Sequence, residues 1–97
     1  MIEIEDIGWL EACGNYVAIH VGMNRYLVKQ ALSVMEARLD KDVFLRIHRS
    51  KIINMRAVKE LQPFVDGRYV VLMKDNTKLY SSRRLHRRIH AFLNGAA

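Results

Sequence analysis

ALSVMEARLDKDVFLRIHRSKIIN, residues 31–54, changes its hydrophobic period partway along, and that change decides how the chain folds. Ala31, Leu32, Met35 and Leu39 recur at the spacing of one helix face, with Lys29, Glu36 and Arg38 left for the outer side. Residues 29–39 therefore read as a short amphipathic helix, ended by Asp40-Lys41-Asp42. Beyond it the apolar runs shorten to strand length. Val43–Ile47 and Lys51–Asn54 are two such runs, parted by His48-Arg49-Ser50. A polar, cationic wedge between two apolar strands is at least a turn. It is also a surface able to hold an anion.

Upstream the same grammar of short runs and turns continues. Ile7–Glu11 and Tyr16–His20 flank Ala12-Cys13-Gly14-Asn15, and Val21-Gly22-Met23-Asn24 turns the chain into Tyr26-Leu27-Val28. Gly-Asn is a turn signal because both residues tolerate backbone angles that other side chains resist. Downstream, Val58–Gln62 is stopped by Pro63, and Asp66-Gly67 leads into Tyr69–Met73. Asp75-Asn76 turns again before Thr77–Tyr80, which predicts a hairpin over 69–80. The last segment returns to helical spacing. Leu85, Ile89, Phe92 and Leu93 form its stripe, Ser81 or Ser82 is placed to cap it, and Gly95 stops it. The expectation is one mostly β domain over residues 1–97, with a helix in the middle and another at the end.

The totals narrow the function classes. Sixteen Lys and Arg against ten Asp and Glu give a formal charge of +6. The asymmetry says more than the sum: residues 1–12 hold Glu3, Glu5, Asp6 and Glu11 and no base, whereas RRLHRRIH at 83–90 holds four Arg and two His and no acid. Such a balance favours an anionic partner, nucleic acid above all. No run approaches the ~18–20 apolar residues that span a bilayer, and the acidic MIEIED start is unlike a secretory leader. One cysteine, Cys13, excludes an internal disulfide and a four-Cys zinc site. A cytoplasmic protein without membrane partner, metal or cofactor is expected.

Catalysis finds little support. His86 and His90 lie four apart on the last helix, a zinc spacing, but among arginines and without an adjacent third ligand. His48 and Ser50 could be assembled into a hydrolase only without a nucleophile-elbow pattern to support them. Phosphate and base recognition accounts for more residues. The planar fork of Arg49 suits guanine O6 and N7 or a phosphate, while Ser50 and Lys51 suit phosphate oxygens. Arg83 and Arg84 near a helix start add to that field. The aromatic residues Trp9, Tyr16, Tyr26, Phe44, Tyr69, Tyr80 and Phe92 mostly fall in strands or on the helix stripe and read as core rather than as a base-stacking platform. Duplex DNA is thereby preferred to RNA. A basic module for an acidic protein or anionic ligand is the alternative.

Three blocks of the chain, in order, resemble the LytTR-type DNA-binding domain of bacterial response regulators: IGWLEACGNYVAIH, ALSVMEARLDKDVFLRIHRSKIIN and VKELQPFVDGRYVVLMKDNTKLYSSRR. The resemblance implies an elongated stack of small antiparallel sheets that inserts loops in successive major grooves of promoter DNA, often at tandem repeats. It also implies a carry-over of base-contacting positions to Asn15, Arg49 and Arg84, with Tyr16, Ser50, Lys51, Arg83 and Arg87 as neighbours on the backbone. An amide at Asn15 matches adenine N6 and N7. His48 is expected to orient its loop through a hydrogen bond, and Asn54 to fix the loop or lie buried. Family members commonly carry an N-terminal phosphoacceptor receiver domain. These 97 residues hold none, which suggests an excised C-terminal output domain, with a stand-alone regulator as the alternative.

Overall fold

Eight strands build two antiparallel sheets in the computed structural model, which describes residues 2–95. The five-stranded sheet comprises β1 (Trp9–Cys13), β2 (Tyr16–Val21), β3 (Asn24–Val28), β4 (Phe44–His48) and β5 (Lys51–Asn54), in the order β3-β2-β1-β5-β4. The three-stranded sheet orders β6 (Val58–Pro63), β7 (Tyr69–Met73) and β8 (Lys78–Tyr80) as a meander. Helix α1 (Leu32–Ala37) lies between β3 and β4, and α2 (His86–Leu93) closes the described chain. The molecule measures 35 × 25 × 24 Å, longer along one axis.

Period-two alternation in the five-stranded sheet produces two cores, because successive side chains leave a strand on opposite faces. Trp9, Leu45, Ile47 and Ile53 face the second sheet, where they meet Tyr69, Val71, Met73 and Leu79, with Ile89 of α2. Leu10, Val17, Ile19, Phe44 and Ile52 pack from the other face with Ile7, Leu32 and Leu39. The five-stranded sheet is therefore the middle layer of three, buried on both sides around β1 and β5. Its edge strand β3 is exposed at all five residues.

Three expectations change. The middle helix is shorter than residues 29–39: Arg38 caps α1, and Leu39 follows on a tight turn yet stays buried. Neither Ser81 nor Ser82 caps a helix with its side chain. Ser81 is 2% exposed, and its hydroxyl accepts the Tyr69 N–H at 2.7 Å, continuing the β7–β8 pairing one step past the last strand residue. Ser82 donates its backbone N–H to Ile47 O at 2.8 Å. A 3-10 turn, Arg83–Leu85, then precedes α2, so the arginine pair lies before the α-helix rather than in its first turn. The aromatic residues also divide. Trp9, Phe44 and Tyr69 are core, whereas Tyr16, Tyr26 and Tyr80 stand exposed at strand ends or on the outer strands.

Candidate nucleic-acid interface

Sheet register brings two turns to one edge. β1 pairs with β2 from Trp9↔His20 to Cys13↔Tyr16, leaving only Gly14 and Asn15 as the connection, with Gly14 at φ 59°. That left-handed angle carries a steric cost for any residue with a Cβ. β1 also pairs with β5, Glu11 opposite Lys51, and Ala12 donates its N–H to the Ser50 carbonyl at 2.9 Å. The Gly14-Asn15 turn and the Arg49-Ser50 turn therefore emerge side by side. The bond from Ser82 to Ile47 O draws the Arg83–Leu85 turn to the end of β4, at the same loop. Asn15, Tyr16, Arg49, Arg83, Arg84 and Arg87 are all exposed, and Ser50 and Lys51 half-buried. Of these, Arg87 alone is on the body of α2, and among the described residues no ion pair links it to the loops.

The Arg49 loop is held from beneath by a side chain that sequence reading missed. Arg46 donates through Nε to His48 O at 3.0 Å and through Nη2 to Arg49 O, while Nη1 reaches Glu36 Oε1 at 2.7 Å. Glu36 Oε2 also accepts from Arg88 Nη1 at 3.3 Å, linking α1, β4 and α2. One guanidinium thus fixes two successive loop carbonyls just beyond a register shift between Arg46 and His48. Its signal in the sequence was a cation between two core residues, Leu45 and Ile47, where an unpaired charge would be costly. Arg49 itself enters no ion pair among the described residues.

Within the loop, the Ser50 amide donates to His48 Nδ1 at 3.1 Å, and Ser50 Oγ lies 2.9 Å from the same nitrogen. An amide can only donate, so Nδ1 must accept, which requires the neutral imidazole with its proton on Nε2. Rotating the Ser50 hydroxyl toward a phosphate leaves Nδ1 still satisfied by the amide. Burial, and after it the charges of Lys51, Arg49 and Arg46, hold the His48 pKa below its ordinary 6.5. The unfolded chain therefore binds the proton first as pH falls, and stability drops from about pH 6.5 downward. Urea unfolding of wild type and His48→Gln at pH 7.5 and 5.5 checks this: the variant should lose less stability on acidification, the other histidines cancelling in the difference. Equal losses would show that His48 is not a strained titrating group.

The other candidate chemistries do not assemble. His86 Nδ1 bonds to Gly67 O at 2.6 Å, and His90 Nδ1 lies 3.4 Å from the Tyr69 hydroxyl, so both rings serve packing. No group of three or more His, Cys, Asp or Glu placed to hold a metal occurs among the described residues. No helix of the described residues is long and apolar enough to cross a membrane. Asn54 lies at the far end of β5, 3% exposed, donating to Ile7 O and accepting from Arg56 N, each at 2.9 Å.

Known proteins resemble this chain in sequence and fold. The family model of the LytTr DNA-binding domain matches residues 1–94. The chain is 29% identical over 94 residues to the sensory transduction protein LytT of Bacillus subtilis, an alignment covering 97% of this chain and 39% of that protein. It is 30% identical over 83 residues to the transcriptional regulatory protein LytR of Staphylococcus aureus, covering 86% and 34%. The chain thus spans well under half the length of these relatives. A solved LytTr DNA-binding domain from Bacillus cereus superposes with a TM-score of 0.90 over 95% of this chain and 84% of that one, at 23% identity, a likeness of fold.

Proposed function

The chain belongs to the LytTr DNA-binding domain family, and on that premise we propose that it is the sequence-reading output module of a transcription regulator longer than these 97 residues. In this reading Asn15, Arg49 and Arg84 address base edges in successive major grooves, and Tyr16, Ser50, Lys51, Arg83 and Arg87 hold the backbone. A receiver domain is the expected companion, given how much of each relative lies outside the matched region.

The observation that carries the reading is the free, exposed Arg49 head on a loop whose backbone carbonyls are clamped by Arg46, beside the Asn15 turn. Bidentate recognition of a base needs a fork whose base of attachment does not move, because a mispositioned donor pair loses its geometric selectivity. Selection from random duplex DNA, read by sequencing, tests the proposal. A motif with conserved positions should be enriched, and the selected duplex should compete far better than its scrambled version. Enrichment of no motif, with selected and scrambled duplexes competing equally, would leave only a generic basic surface for acidic partners.

A further inference from the structure

We propose that the cavity of about 580 Å³ between the Arg49 loop and the β7–β8 hairpin is a seat for one backbone phosphate of the bound duplex, with Arg68 and Lys78 as ligands not foreseen from the sequence. The inference rests on the DNA-reading proposal and adds to it where the backbone crosses the protein. Lys51 contributes from the start of β5, Arg68 from just before β7, Lys78 from β8 and Arg83 from the turn before α2. None of the four enters an ion pair among the described residues. Among the described residues Asp66 is the one carboxylate on the wall, and no ion pair links it to any of the four.

Four cations around one concavity repel each other, and a concave low-dielectric wall concentrates their field. The fold does not neutralise them, so an anion entering the cavity meets their combined field. Arg68 shows how the site is prepared. Its guanidinium carbon sits 5.3 Å from the centre of the Phe64 ring, which in turn packs against Tyr80 at 5.6 Å. Its buried Nε–H has no hydrogen-bond partner among the described residues. The head is thus positioned by an aromatic face, not by acceptors, and its charge is left at the cavity wall. A phosphate is the anion that fits, since three or more separate cations can share its oxygens. Location identifies the source. His48, Lys51, Ser82 and Arg83 all line it, and they flank Arg49 and Arg84 in the chain, so the backbone beside the bases those two arginines would touch passes at this opening.

Salt titration of duplex binding tests the seat. A protein that loses one phosphate contact loses about 0.9 from the slope of log K against log salt. Lys78→Gln should show that loss on a short mixed-sequence duplex, and Arg68→Gln, with its fold checked by circular dichroism, should show the same. Lys59→Gln, an equal charge change at an exposed position away from the cavity, should leave that slope nearly unchanged. Asp66→Asn should tighten binding a few-fold, because it removes the only like charge facing the phosphate. Slopes for Lys78→Gln equal to those of Lys59→Gln would overturn the seat while leaving DNA reading intact. Saturation by inorganic phosphate with no effect on duplex binding would make it a free-anion site and also overturn it. A wild-type domain that bound no duplex at all would remove DNA reading first, and the seat with it.

Discussion

Replacing Asn54 with alanine is expected to lower the unfolding free energy by about 2–4 kcal/mol, a large share of what a small domain has. The side chain is 3% exposed and does two things at once: its amide donates to Ile7 O, and its carbonyl accepts the Arg56 N–H. A buried partner left unsatisfied, as Ile7 O would be, costs about 1–3 kcal/mol, and losing the acceptor of the part-buried Arg56 N–H adds to it. The surrounding backbone shows why the site cannot simply relax. Asn54 N donates to Gly8 O, Met55 N donates to Val43 O, and Phe44 pairs with Asn54 across the sheet. Three segments distant in sequence therefore meet around Asn54, and its side-chain amide ties the Ile7 segment to the start of the 3-10 turn after β5. Urea denaturation should show a lower midpoint with an unchanged slope, the mark of altered stability rather than altered compactness. Asn54→Asp keeps the acceptor for Arg56 but loses the donor to Ile7 and buries a charge against a carbonyl, so it should cost at least as much. A loss under about 1 kcal/mol in Asn54→Ala would show that the amide is not a tie between segments.

Asn54 also shows where sequence reading stopped. A lone Asn closing an apolar run could be read as buried or loop-fixing, but its partner Ile7 lies 47 positions away and no local pattern names it. All eight strands were legible because each is a short run bounded by turn residues. The strand order was not. β1 lies beside β5 through long-range pairing, and only that pairing places the Gly14-Asn15 turn next to Arg49. Ser81 was misread for the same reason: a serine ahead of a helix pattern resembles a cap until a distant strand claims its hydroxyl. Arg46's clamp stayed hidden because two of its acceptors are the backbone carbonyls of His48 and Arg49, which no residue type names; its place between Leu45 and Ile47 was the one hint. Charge sums, by contrast, pointed toward an anionic partner without any structure, since cations accumulate in the chain whatever its fold.

Arg49→Ala should abolish discrimination at one position of the binding site, at a cost of about 1–3 kcal/mol on the selected duplex, and leave non-specific affinity nearly intact. The fork is exposed and enters no ion pair among the described residues, so its removal should leave the fold unchanged. Lys51→Ala provides the opposite signature. A lysine that meets only phosphate should weaken every duplex alike and flatten the salt dependence by about one unit. The clamp beneath the loop separates direct from indirect effects. Arg46→Met leaves the Arg49 fork present but frees the His48 and Arg49 carbonyls that fix its base. It should therefore reduce discrimination at the position Arg49 reads, while a double variant with Arg49→Ala loses no more there than Arg49→Ala alone. That non-additivity is what a shared physical device requires, because the clamp has nothing left to aim once the fork is gone. If Arg49→Ala distinguishes selected from scrambled duplex as well as wild type does, Arg49 does not read a base.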